Sequence, residues 1–298
     1  MRSKLFVPAA RPELFPKALA GEADALSFDL EDAVLPAHKV TARASLRDFL
    51  QSGELRASAK TIIVRVNPVG SAHCAPDLEA VMAGRVDWIN VPKVESVEAV
   101  RLVAEILDKL ERGRPERFGT RLLLTIETPR GLREAAALAA AHPRVVGLQL
   151  GFGDLFSPLG IGRNNSAAIE AVMFAVRMAA GEVGGLACDS AFPDIRDADG
   201  FQREARRARA FGFVGKSCIH PSQVALANAI FAPDAAEIAA AQQIVATRDA
   251  TPFEERGAFV VAGKMVDAPY LRRAEAVLAQ ARRYGLLAPD GAVREGGQ

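Results

Sequence analysis

The stretch WINVPKVESVEAVRLVAEILDKLERGRPERFGTRLLLTIE, Trp88–Glu127, holds two short apolar runs on either side of a longer segment with a different period. WINVPK from Trp88 and RLLLTIE from Arg121 are of strand length, and each closes on a charged residue, Lys93 and Glu127. Their continuous hydrophobicity suits parallel strands covered on both faces. Between them, Val94–Glu111 sets Val97, Val100, Val103, Ile106, Leu107 and Leu110 among charged residues, the pattern of a helix with one buried side. A strand, a helix and a second strand in that order form the repeating unit of a parallel α/β protein.

The same alternation recurs in both directions. Besides these two, the runs are LFVPA from Leu5, ALSFDL from Ala25, TIIVRVN from Thr61, VVGLQLG from Val145, LACDSA from Leu186 and FVGKSCI from Phe213. Eight units in roughly 220 residues predict an α/β fold of the (β/α)8 TIM-barrel type, which typically takes about 250 residues. An open doubly wound sheet would carry a GxGxxG turn after its first strand, and the chain has none there. The barrel domain is expected over 1–222 and a C-terminal helical extension over 223–298, serving as a lid and in oligomer contacts. That extension reads as helical around Ser222–Arg248 and Pro269–Gly285, joined by the irregular TPFEERGAFVVAGKMVDAP.

The 298 residues hold 37 Lys plus Arg against 36 Asp plus Glu, a net charge of +1 that gives no electrostatic case for nucleic acid. Half the residues are hydrophobic, enough for a full core and too many for disorder. No run of about eighteen apolar residues is read, so no membrane partner is expected. The opening MRSKLFVPAARPE, broken by Pro8 and Arg11, does not read as a signal segment. Cys74, Cys188 and Cys218 are scattered without a CxxC pair and read as reduced, buried thiols of a cytoplasmic protein.

A (β/α)8 barrel carries its active site at the C-terminal ends of its strands, so charge that closes an apolar run is the chemistry to examine. Here those positions hold Asp29, Glu31 and Asp32, then Arg65 and Asn67, then Lys93, Glu127, the sequence Gly151-Phe152-Gly153-Asp154, and Asp189. Glu127 and Asp154 are the isolated carboxylates that Mg²⁺ favours, with helix capping or a Glu127–Arg130 pair as the equal alternative. Arg65, flanked by valines, must enter the barrel mouth or meet a buried acid, Asp29 or Glu31. Three acids within Asp29–Asp32 call for cations, from Lys39, Lys93 or a metal site. The glycines around Phe152 permit close backbone approach, and amides before a helix can receive a carboxylate. His38, His73 and His142 read as surface groups and His220 as a hydrogen-bonding residue.

Several motifs run in order along the chain: RSKLFVPAARPE at Arg2–Glu13, DLEDAVLPAHKVTAR at Asp29–Arg43, VRVN at Val64–Asn67 and VPK at Val91–Lys93. They continue with IET at Ile126–Thr128, GFGDL at Gly151–Leu155, GKSCIHPSQV at Gly215–Val224 and GKMVDAP at Gly263–Pro269. Through them the chain resembles the citrate lyase β-subunit-like family, grouped with malyl-CoA, citramalyl-CoA and β-methylmalyl-CoA lyases in the HpcH/HpaI aldolase superfamily. The resemblance implies a (β/α)8 barrel that reversibly cleaves a 3-hydroxyacyl-CoA thioester into an acyl-CoA and a 2-oxo acid. It implies Mg²⁺, with Mn²⁺ able to replace it, on Glu127 and Asp154. Arg65 is the implied catalytic and substrate-binding residue, Gly153 and Asp154 also face the substrate, and Glu31 and Asp32 hold the metal's waters. Asp267 of GKMVD matches an acid that such proteins carry on the C-terminal arm, often over a neighbouring subunit, in a homotrimer or homohexamer. Arg11 and Lys17 are the candidates for the CoA phosphates. Two positions depart from the pattern: Ala262 stands where Asp is common, and Glu254-Glu255-Arg256 where Gly is frequent. The alternatives are a metal-dependent pyruvate aldolase without CoA, which DLEDAV and GKMVD oppose, and a citrate lyase β subunit active only with carrier partner subunits.

Overall fold

The computed structural model describes residues 1–112, 119–250, 257–288 and 293. Eight parallel strands, β1 Ser3–Pro8, β2 Ala25–Asp29, β3 Thr61–Arg65, β4 Trp88–Val91, β5 Arg121–Ile126, β6 Val145–Leu150, β7 Leu186–Asp189 and β8 Gly215–Cys218, pair in chain order, and β8 pairs with β1 to close a barrel. Every expected run holds a strand, and β4 and β5 stop before the charged residues that end their runs, so Lys93 and Glu127 lie just beyond the ladder. Phe213 departs from expectation. Its N–H bonds to the Ala208 carbonyl and finishes the helix Ala198–Ala210 instead of opening β8.

The outer face of the barrel is mostly apolar, the Asp189–Lys216 pair on β7 and β8 apart. Leu26 and Phe28, Ile62 and Val64, Leu122 and Leu124 are buried in one core shared with the surrounding helices. Phe28 meets Phe15 and Phe49 edge-on, ring centroids 5.1 and 5.6 Å apart, the geometry the aromatic quadrupole favours. The inner face differs from the doubly apolar strands the sequence suggests. Lys4, Ser27, Asn90, Thr125 and Gln149 are buried there. Lys4 donates to the Gln149 side-chain carbonyl, and β1 and β6 are not neighbours, so this bond crosses the interior. Asn90 Nδ2 reaches the same Gln149 oxygen at 3.4 Å and Thr125 donates to Asn90 Oδ1 at 2.7 Å. Lys4, Asn90, Thr125 and Gln149 thus satisfy one another beneath the mouth, while the Ser27 hydroxyl is buried without a partner. Burial also brings the Lys4 ammonium down to about 7.

The barrel unit runs Met1–Phe231. It passes the expected boundary at 222 because the helix Pro221–Phe231 gives Val224, Ala227 and Phe231 to the barrel's core. The second unit, Ala232–Gln298, has its own small core, in which Ile238 and Ala241 of the helix Ala235–Ala250 meet Ala274 and Leu278 of the helix Ala268–Arg283. The stretch expected to be irregular holds a hairpin of β9 Ala258–Val261 and β10 Lys264–Asp267. Its turn residues Ala262 and Gly263 have φ of 47° and 77°, so both are left-handed, as a two-residue hairpin turn demands. Glu254, Glu255 and Arg256 lie outside the described residues. Pro221–Ala250 is long and apolar enough to cross a membrane by length and composition alone. The structure divides that stretch at Pro233 into two helices whose apolar residues enter two different protein cores.

Candidate active site

Asp29 ends β2 and Arg65 ends β3, and the two are partners in register. Neighbouring parallel strand ends set their inward side chains next to each other. Arg65 Nε and Nη2 donate to the two Asp29 carboxylate oxygens, both at 2.7 Å, a planar two-bond fit available only to guanidinium. Nη1 lies 3.0 Å from Glu31 Oε2 and 3.9 Å from Asp32. The Phe6 ring supports the guanidinium, 4.9 Å from Cζ to the centroid. Burial raises the Asp29 carboxyl, but the bonds and charge of Arg65 more than reverse this and hold it below the usual carboxylate range. Both sequence readings of Arg65 are therefore met, since it enters the mouth and pairs with a buried acid. Asp29 also accepts the N–H groups of Glu31 and Ala33, and Lys39 Nζ donates to the Leu30 and Glu31 carbonyls at 2.9 and 3.0 Å, which turns Glu31 and Asp32 towards Lys93 and Arg65.

Glu127, just past β5, is held from two sides. The Lys93 N–H donates to its Oε1 at 2.8 Å. On the other side Gly151, just past β6, packs directly against it. A Cβ there would stand 2.5 Å from Glu127 Oε2 and 2.6 Å from Glu127 Cβ, so only glycine fits. Arg130, the alternative partner from the sequence, is exposed. Asp154 sits on the first turn of the short helix Phe152–Phe156 and is about half exposed, with Gly153 beside it facing open space. Lys93 Nζ connects the acids, 2.6 Å from Glu31 Oε1, 3.3 Å from Asp32 and 4.0 Å from Asp154.

Burial, together with the carboxylates of Glu31 and Asp154, pushes Glu127 up to about 8. Glu31 is raised too, by burial first and then by Asp32, against the pull of Arg65 and Lys93. Glu31 Oε2 is buried without a hydrogen bond, since Arg65 Nη1 is near it but not aligned with it. Carboxylates driven towards protonation and an orphaned oxygen are what a hard divalent cation relieves, so these residues fit Mg²⁺. Among the described residues no three His, Cys, Asp or Glu converge as a complete metal cage. Mg²⁺ needs none, because it takes one or two carboxylates and fills its remaining positions with water and substrate oxygens.

Not every charged strand end joins this mouth. Asp189 points outward to Lys216 at 2.5 Å, and Lys216 also bonds Glu204 of the helix Ala198–Ala210 at 3.0 Å, forming a structural network. Asn67 is tied to the buried Asp77 and the Leu30 carbonyl. A mostly apolar groove of about 660 Å³ runs beside β1, lined by Phe6, Pro8, Lys17, Ile219 and His220 among others. Phe6 thus lines the groove and supports Arg65, and Lys17 brings a cation to it. Arg11 is exposed, paired with Glu13, and not on the groove wall. His220 bonds Ser222, and all three cysteines are buried and unpaired. Asp267 occupies the N-cap position of the helix Ala268–Arg283 without making a capping bond, and its Oδ1 is buried without a partner, so helix capping does not occupy its carboxylate. Sequence reasoning missed Lys4 and Phe6. Their signal is the period of two in KLFVP, which puts Lys4, Phe6 and Pro8 on one face.

Comparison with known proteins agrees with this geometry. Residues 2–221 match the model of the HpcH/HpaI aldolase/citrate lyase family. The citrate lyase subunit beta of Escherichia coli is 36% identical over 290 residues, covering 96% of this chain and 94% of that protein. The L-malyl-CoA/beta-methylmalyl-CoA lyase of Cereibacter sphaeroides is 31% identical over 301 residues, covering 94% of each chain. The crystal structure of Mycobacterium tuberculosis CitE in complex with magnesium, acetoacetate and coenzyme A superposes with a TM-score of 0.74 at 36% identity, covering 95% of this chain and all of that one. A closed eight-stranded barrel, an acid-lined mouth and a match of this extent lead to one assignment: the chain belongs to the HpcH/HpaI aldolase/citrate lyase family.

Proposed function

We propose that this chain is a Mg²⁺-dependent carbon–carbon lyase that reversibly cleaves a 3-hydroxyacyl-CoA thioester of the malyl, citramalyl or citryl type into an acyl-CoA and a 2-oxo acid. The observation that carries it is Arg65. Asp29 engages two of its five N–H groups, and Nη1 lies beside Glu31 with no aligned hydrogen bond to it. Glu127 and Asp154 would hold the cation, which would supply Lewis-acid charge beside the oxo acid. Arg65 offers its free donors to the thioester oxygen, where negative charge grows as Cα–Cβ breaks, and its pairing with Asp29 removes the need to reorient at that moment. Glu31 and Asp32 orient water beside it. In cleavage the 3-hydroxyl proton passes to the water beside Glu31 and Asp32 as that oxygen becomes the oxo acid's carbonyl, and Asp267, by its place in the GKMVD motif, delivers a proton to the enolate carbon; condensation runs both transfers in reverse.

The groove beside β1 is the proposed seat of CoA, with Lys17 meeting a phosphate, and Arg11 gives a second cation near the same loop. Mn²⁺ replacing Mg²⁺, a cytoplasmic location, and a homotrimer or homohexamer in which Asp267 serves a barrel of the assembly complete the proposal. The citrate lyase subunit relative favours a second reading, activity only on acyl groups presented by a carrier partner.

Exchange of the acetyl-CoA methyl hydrogens with deuterated solvent tests the proposal without knowledge of the acyl group. With Mg²⁺ and an oxo acid present, exchange is expected in the wild type and lost in Asp267→Asn, which keeps the fold. Exchange equally fast in Arg65→Ala would refute enolate chemistry at this mouth, and exchange only with carrier-bound acetyl groups would select the second reading. Hybrids of Asp267→Asn with Arg65→Ala protomers regain activity only if the site is shared between subunits.

A further inference from the structure

Lys93 follows Pro92 with a left-handed backbone, φ 49°, and is the single non-glycine residue so placed among the described residues of the barrel unit. Such a conformation persists where the surroundings enforce it. Here the enforcement is visible on both sides. The Lys93 N–H is bound to Glu127, and the Val94 carbonyl presses on Gly131, where a Cβ would stand 2.6 Å from it. The loops after β4 and β5 are therefore interlocked through the Lys93 N–H and the Val94 carbonyl. The same turn sends the side chain among three further acids, Glu31, Asp32 and Asp154, which stand on two other loops.

We propose that Lys93 is the positioning counter-ion of the mouth: its N–H fixes Glu127, its ammonium gathers Glu31, Asp32 and Asp154, and its charge sets how tightly a divalent cation is held there. This rests on the reading that Glu127 and Asp154 take the cation. An ammonium within 4.0 Å of Asp154 stands a few ångströms from any ion that Asp154 binds. It both gathers the acids and repels the ion. Repulsion wins, because the carboxylates have other supports: Gly151 against Glu127, and Lys39 on the carbonyls of the loop that carries Glu31. Removing the ammonium therefore tightens the ion while it loosens Glu31 and Asp32. A charged neighbour at ~4–6 Å changes proton affinity by about one to three powers of ten, and a doubly charged ion feels at least the lower end of that range.

The test is calorimetric titration of Mg²⁺ into the metal-stripped full chain. Lys93→Met, which keeps the N–H and the aliphatic stem, is expected to bind Mg²⁺ about tenfold more tightly while its kcat falls and its melting temperature stays close to that of the wild type. Lys93→Arg, which keeps the charge, is expected to stay within about threefold of wild-type affinity. Lys93→Gly keeps the N–H, relieves the left-handed backbone and is expected to match Lys93→Met, so the test survives poor folding of either variant. Affinity unchanged or weakened in the variants that lack the charge would overturn the proposal. Failure of the wild type to bind Mg²⁺, or unchanged binding in Glu127→Ala, would instead overturn the cation reading on which it rests.

Discussion

Arg65 is clamped by Asp29, and the same clamp explains why lysine cannot replace it. Arg65→Lys keeps the charge but cannot satisfy both Asp29 oxygens and still present a donor to the substrate. We expect kcat to fall by about 10²–10³, the loss typical of one oxyanion donor, with Mg²⁺ affinity within a few-fold of wild type. Steady-state kinetics beside metal titration separates the two. Glu127 gives a pH dependence. Its value in the fold, about 8, lies above that of a free glutamate, so its stabilising contribution is complete below about pH 4 and is lost as pH rises through 8. Mg²⁺ needs the carboxylate, so its affinity is expected to weaken by up to about tenfold per pH unit below 8 and to level off above it. A Kd independent of pH between 6 and 8 would remove Glu127 from the metal site. Arg65, Glu127 and Asp154 are legible in the sequence because charge at the end of an apolar run has few places to go. Asp189 reads the same way and is not part of the site, because β7 ends on it with its side chain outward, and a shift of one residue at a strand end reverses which face a side chain takes.

At the scale of elements, two small residues carry strong expectations. Gly151→Ala would drive a methyl group into the Glu127 carboxylate, so the variant is expected to fold yet lose Mg²⁺ affinity by more than about tenfold, measured by titration. Ala262 sits in a left-handed turn position that Asn or Asp occupies more comfortably, which gives the Asp common there in the family a structural explanation. Ala262→Asn is expected to stabilise the hairpin of β9 and β10 by about 0.5–1 kcal/mol, read as slower hydrogen exchange at its amides. The eight strands were legible from hydrophobic runs. This hairpin was not, because Val260 and Met265, paired across it, are both exposed and the strands bury too little to leave a pattern of period two.

For the whole molecule, the two units have separate cores, and the barrel unit holds every residue assigned to the cation. Residues 1–231 alone are therefore expected to unfold cooperatively and to bind Mg²⁺ within about threefold of the full chain, yet to lack proton exchange at the acetyl-CoA methyl because Asp267 is gone. The sequence boundary at 222 cuts through the start of a helix that packs on β1 and β8, a packing that hydrophobic pattern alone cannot assign to one core or another. The central claim is that the acid-lined mouth cleaves a carbon–carbon bond of a CoA thioester. Its most direct test is product balance: the purified chain is incubated with malyl-, citramalyl-, β-methylmalyl-, 3-hydroxy-3-methylglutaryl- and citryl-CoA, with Mg²⁺ or with a chelator. We expect at least one to yield acyl-CoA and its 2-oxo or 3-oxo acid partner in equal amounts, only with Mg²⁺ and at least about 10²-fold more slowly in Arg65→Lys. Cleavage that persists in the chelator, or that runs near the wild-type rate without Arg65, would contradict it.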